Sequence, residues 1–110
     1  RLIGLYLKKR ESLKGIVIIM DIRHPFTGLD LNLIYLCQEY DIPTILLLNK
    51  SDKISKSQIG SRIKESIKFM KQKGIKGEIL AASAKSGDGI EDLNTSLENW
   101  FLTRAPSILG

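Results

Sequence analysis

Three largely apolar runs punctuate the chain, and each ends at a polar residue. Ile16-Val17-Ile18-Ile19-Met20 ends at Asp21, Thr44–Leu48 ends at Asn49, and residues 78–82 end at Ser83. Short apolar runs rich in β-branched residues predict strands covered on both faces. Pro43 opens the second run, and Gly74 and Gly77 break the chain before the third. Between the runs the period lengthens to that of a helix. Leu29, Leu33, Leu36, Cys37 and Tyr40 predict the inward face of a helix over 29–40. Ile59, Ile63, Ile67 and Met70 predict one stripe of a longer helix. Beyond Gly87 and Gly89, the residues Ile90, Leu93, Leu97, Trp100 and Phe101 predict the inward face of a last helix. Glu91 and Asp92 suit its positive N-terminus. Leu2, Ile3, Leu5 and Tyr6 among basic residues predict a short amphipathic helix over 1–12.

The predicted order is therefore α-β-α-β-α-β-α. Strands joined by helical crossovers make a parallel sheet with helices on both faces, an α/β fold. Such sheets bind ligands beyond the carboxyl ends of their strands. Asp21, Asn49 and Ser83 all fall there.

Composition narrows the class. The 110 residues suffice for one small domain with a single core. No apolar run approaches the ~20 residues of a membrane span. One cysteine excludes a disulfide framework, and one Cys with one His excludes familiar zinc spacings. Cys37 reads as a buried thiol, and the balance favours an intracellular, cytoplasmic setting. The formal net charge of +5 permits an RNA partner, although solvated helix faces would carry the same residues.

The strand ends carry the most specific chemistry. Asn49-Lys50-Ser51-Asp52 follows the second strand, and Ser83-Ala84-Lys85 follows the third. An N-K-x-D tetrapeptide and an S-A-K tripeptide in these positions are the guanine-reading pair of GTP-binding proteins. Alone, N-K-x-D also suits a polar loop with Asp52 capping a helix. Together the residue types fit the base. Guanine presents an N1–H beside an exocyclic amino group, so the Asp52 carboxylate can accept from both. Adenine lacks that pair of donors and would leave a polar group unpaired. The Asn49 amide can bridge base and backbone. Lys50 and Lys85 can cover the two ring faces with their apolar stems. The Ala84 N–H can meet the base oxygen. No G-x-x-x-x-G-K-[ST] phosphate loop and no D-x-x-G segment occurs in these residues. GDP is accordingly expected to bind this chain about as weakly as guanosine, and no residue here can be assigned to hydrolysis.

The sequence resembles the EngB family of bacterial ribosome-biogenesis GTP-binding proteins. Four stretches carry the resemblance: Leu2-Ile3 to Gly15, Met20-Asp21-Ile22-Arg23-His24-Pro25 with Leu29-Asp30, Pro43 to Asp52, and Ser83 to Gly87. The resemblance implies the C-terminal part of one Ras-like GTPase domain, spanning residues 1–110 with three strands and four helices. It implies GTP or GDP as ligand, Mg²⁺ in the full-length protein, and a role in large ribosomal subunit assembly and division septation. Ribosomal RNA or the large subunit would be the partner, with no membrane and no DNA. By position Asn49, Lys50, Asp52, Ser83, Ala84 and Lys85 would contact guanine. In the Ras-like sheet the three strands lie side by side in chain order, so strand 16–20 is expected to present an open edge and to drive self-association. Two other readings remain open. A circularly permuted ribosome-assembly GTPase would carry its phosphate loop downstream of Gly110. A non-enzymatic RNA- or protein-binding domain would have a decayed nucleotide site.

Overall fold

The computed structural model describes residues 3–8 and 12–107, with side chains from 15 to 100. Among the described residues a single sheet runs in the order β1 (Ile3–Lys8), β2 (Ser12–Asp21), β3 (Thr44–Asn49), β4 (Glu78–Ala81). Three helices, α1 (Gly28–Glu39), α2 (Lys56–Lys73) and α3 (Ile90–Ser107), complete it. β2, β3 and β4 pair in parallel and in chain order, as the alternating pattern requires. The α/β class and the parallel three-stranded core therefore stand.

Alternation along β3 divides the core in two. Leu46 and Leu48 face Ile18, Met20, Ile34, Cys37, Met70 and Ile75, beneath α1 and α2. Ile45 and Leu47 face Val17 and Ala82, with Leu93, Leu97 and Trp100 of α3 against them. Trp100 is thus a packing residue; its ring crosses Gly15 so closely that a Cβ there would sit 2.7 Å from it.

The first element departs from expectation. The helix that the pattern predicts over 1–12 is replaced by β1, which pairs antiparallel with β2 from Ile3↔Ile18 to Lys8↔Ser12. Residues 1–2 and 9–11 of that predicted helix lie outside the described residues. The physical reason is the edge of β2. Its backbone donors and acceptors need partners on the side away from β3, and a neighbouring segment containing Ile3, Leu5 and Tyr6 has strand propensity. The open edge expected at Ile16–Met20 is paired within the chain over Ile16–Ile18, which weakens the case for association through it. Among the described residues the fold thus has four strands and three α-helices rather than three and four.

Two helices also rotate relative to the predicted faces. α1 buries Asp30, Ile34 and Cys37, while Leu29, Leu36 and Tyr40 are exposed. Apolar residues surround this helix, so its period does not choose a face. Its start does: Thr27 and Asp30 close a reciprocal capping box, which brings Asp30 inward. In α2 the buried stripe passes through Ile59, Ile63, Ser66 and Met70, leaving Ile67 exposed. Ile67 lies one residue, about 100° of helical turn, beyond Ser66. The predicted inward position of Phe101 lies outside the described side chains.

Gly89 sets the entry to α3. Its φ is +79°, and a Cβ would collide with the Ala81 carbonyl oxygen. Gly60, on the exposed side of α2, has nothing within 4 Å of the same position. Gly89→Ala should cost about 2–4 kcal/mol, combining a left-handed backbone with overpacking. Gly60→Ala should instead stabilise by about 0.5–1 kcal/mol through helix propensity. Urea unfolding of both variants measures the contrast; equal midpoints would refute this packing of the α3 entry.

Candidate functional site

The parallel register places the strand ends side by side. Asp21 pairs with Asn49, and Leu48 with Ala81. Pairing continues into the loops, where Ile22 N–H donates to the Asn49 carbonyl and Ala82 N–H to the Leu48 carbonyl, both at 2.9 Å. The three polar ends predicted from the apolar runs therefore converge on one rim.

Beyond β3, Lys50 adopts a left-handed conformation (φ 67°, ψ 37°) and Ser51–Lys53 form a single 3-10 turn. The buried Ser51 donates its N–H to the Ala82 carbonyl at 3.1 Å, which ties this loop to the end of β4. The turn carries Asp52 across to the second loop. That loop folds around Ser83: Ser83 N–H donates to the Asp88 carbonyl, Gly87 N–H to the Ser83 carbonyl, and Ser86 N–H to Ser83 Oγ. Ser83 Oγ in turn donates to Asp52 Oδ1 at 2.7 Å. One hydroxyl thus fastens both loops together.

Between the loops lies a cleft of about 260 Å³, lined by Asn49, Lys50, Asp52, Lys53, Ala84 and Lys85. Five of the six sequence candidates line it. Ser83, at 0 % exposure, sits beneath and reaches the cleft through Asp52. Lys53 was not among the candidates; its only sequence signal is adjacency to Asp52.

Charge is arranged in two layers. The Ser83 hydroxyl holds the Asp52 carboxyl below the ordinary carboxylate range, so Asp52 is an ionised acceptor at neutral pH. Behind it, Arg23 grips Asp21 with Nε at 3.0 Å and Nη2 at 2.8 Å, and its N–H donates to Oδ1 at 2.9 Å. This side-chain bonding holds the Asp21 carboxyl far below its usual range. Lys50 Nζ lies 3.7 Å from the same carboxylate, so Asp21 also draws the lysine stem along the cleft wall. The D-x-R spacing was legible in sequence, but its grip on Lys50 needs the Asp21–Asn49 register. His24 is exposed and serves the same turn, its N–H donating to the Asp21 carbonyl. Cys37 is buried, and burial pushes its thiol up. Among the described residues, no three His, Cys, Asp or Glu side chains gather around one point that a metal ion could occupy.

A family model described as the elongation factor Tu GTP binding domain matches residues 8–103. Curated relatives are each called "Probable GTP-binding protein EngB". The Aeromonas salmonicida protein is 36% identical over 94% of this chain and 48% of its own length. The Pseudoalteromonas translucida protein is 42% identical over 91% and 45%, and a Vibrio cholerae protein 39% over 92% and 46%. The chain spans about half the length of the curated relatives it matches. Among solved structures, the bacterial selenocysteine-specific elongation factor EF-Sec superposes with a TM-score of 0.68 at 24% identity, over 79% of this chain and 16% of that one. That likeness is one of fold.

Removing the Ser83 hydroxyl should raise the Asp52 carboxyl toward its ordinary value, because that bond is the largest cause of its lowering. Carboxyl NMR titration of wild type and Ser83→Ala reads the shift, and an unmoved Asp52 would separate the loops. The sign for stability follows. Asp21 and Asp52 both titrate lower in the folded state than the ~3.9 of an unfolded aspartate. Their contribution is complete above that value and is lost as pH falls through the folded values. Asp21→Asn should therefore flatten the acid limb of the stability curve below about pH 4.

Proposed function

The chain belongs to the elongation factor Tu GTP-binding domain family, and within it to the EngB type; on that premise we propose that the cleft between the two loops binds the guanine base of GTP or GDP. The observation that carries this reading is the 2.7 Å bond from Ser83 to Asp52. It holds an ionised carboxylate at the mouth of a cleft flanked by lysines. A carboxylate fixed there accepts from the guanine N1–H and amino group together, and such charge-assisted bonds are the strong ones. Lys50 and Lys85 cover the ring faces, the Ala84 N–H meets O6, and Asn49 braces the loop. Ser83 serves the base through Asp52.

The chain would form the C-terminal part of a single EngB-type GTPase domain. Its residues read the base and leave phosphate chemistry to groups outside these 110 residues. Mg²⁺ is expected with the full-length protein, where it would be held largely by the nucleotide phosphates and water, and no hydrolytic step is assigned to these residues. For the whole protein we propose GTP hydrolysis in the cytoplasm in support of large ribosomal subunit assembly, with effects on septation and ribosomal RNA as the partner.

In the intact protein, Asp52→Asn tests the base-reading role. The amide cannot accept from both guanine donors, but it can face the C2 oxygen of xanthine. Preference should move from GDP toward XDP by at least ~100-fold, the scale of a buried mispaired polar contact. Guanosine and xanthosine, run in parallel, report on the base alone. A variant that keeps the wild-type preference for guanine would take Asp52 out of this role.

A further inference from the structure

The net charge of the chain resides in one helix. Of the 17 basic residues, six lie in α2: Lys56, Arg62, Lys64, Lys68, Lys71 and Lys73. Of the 12 acids, α2 has only Glu65. That leaves eleven of each sign in the rest of the chain, so α2 alone accounts for the net +5.

The geometry of α2 sorts these charges. Ile59, Ile63, Ser66 and Met70 fix the inward face. Lys64, Lys68 and Lys71, spaced i, i+4 and i+7, therefore form a row on the outward face, and all three are exposed. They extend over about 10 Å of helix axis. The one acid is engaged elsewhere, with Glu65 Oε1 3.5 Å from Arg62 Nη1. Lys73 bends toward the Phe69 ring, 5.9 Å from its centre. Among the described residues, Lys64, Lys68 and Lys71 make no ion pair within 4.0 Å. Gly60 and Ser61, both exposed, open the preceding turns to close approach. Lys53 and Lys76 stand near the two ends of the helix.

We infer that this face of α2 is a docking surface for the phosphate backbone of double-stranded RNA. The choice of RNA rests on the ribosomal RNA partner proposed above; the choice of surface and of duplex rests on the helix itself. A row of unpaired lysines on a face without acids is complementary to a polyanion. A protein partner would need an apolar or aromatic anchor, and the exposed apolar side chain here is Ile67 alone among the described residues of α2. A membrane surface would need the apolar stripe of the helix, which is buried in the core. Single-stranded RNA is gripped by stacking bases on exposed rings, but the aromatic residue of α2, Phe69, packs at 4.6 Å on Phe26. Phosphate contact with a duplex is made by amines in a row, without base stacking.

The test is fluorescence anisotropy of the full chain with a 20-base-pair RNA duplex, the single strand and the matching DNA duplex, across a salt series. The RNA duplex should bind more tightly than the single strand and no more weakly than the DNA duplex, and binding should weaken steeply with salt. Changing Lys64, Lys68 and Lys71 together to Gln should weaken it at least ~10-fold at moderate salt and flatten the log–log salt slope by about 2–3, near one per lost phosphate contact. The same positions changed to Arg should retain both affinity and slope. All three positions are solvent-facing, and circular dichroism of each variant confirms the fold. Wild-type binding that the Gln variant leaves unchanged would overturn the surface while sparing the RNA reading. No duplex-RNA binding by wild type, or tighter binding to the DNA duplex or the single strand, would overturn the assigned occupant. Guanosine binding, measured in the same samples, should be equal in all variants, which keeps this test separate from that of the cleft.

Discussion

The structure depends on the position of β3. It has a parallel partner on each side, and Ile45, Leu46 and Leu48 are wholly inaccessible to solvent. A strand covered on both faces and paired on both edges cannot shift register by one residue. Such a slip would exchange the residues beneath α1 and α2 with those beneath α3. This constraint fixes Asn49 opposite Asp21 and sets Leu48 beside Ala81. The candidate site is built on those two pairings.

The loops above the sheet translate that register into chemistry. The Ser51 N–H and the Ser83 hydroxyl link the loop after β3 to the loop after β4. Neither link would form if the strands were offset. Ser83 combines three roles at 0 % exposure: it accepts from Ser86, donates to Asp52 and turns the chain toward α3. Buried polar groups that are fully paired stiffen their surroundings. The carboxylate at the cleft is therefore oriented by the protein before any ligand arrives, which lowers the ordering cost of binding.

Charge is partitioned in the same manner. Around the cleft, acids and bases are matched: Asp21 with Arg23 and Lys50, and Asp52 with the lysines that flank it. On α2 they are not matched, and the excess positive charge collects on a face directed away from the sheet. The two proposed roles pose different recognition problems. A base needs few groups at fixed angles, whereas a phosphate backbone needs charge density along a line.

Much of this was legible in the sequence. The three apolar runs defined the parallel strands because a strand buried on both faces has no polar alternation to obscure it. The tetrapeptide at 49–52 and the tripeptide at 83–85 marked the two loops that border the cleft, because residue type is what a sequence records. Five of the six candidate residues line the cleft. Three features required the tertiary structure. Residues 3–8 are a strand because the edge of β2 offers partners that no local period encodes. The buried face of α1 follows its Thr27–Asp30 cap, since apolar residues encircle that helix and leave the choice open. Ser83 lies beneath the cleft, bonded to Asp52, because packing between two loops 31 residues apart decided its burial. Local chemistry wrote the strands and the motif. Contacts between distant segments chose edges, faces and depth, because those depend on what else is present in space.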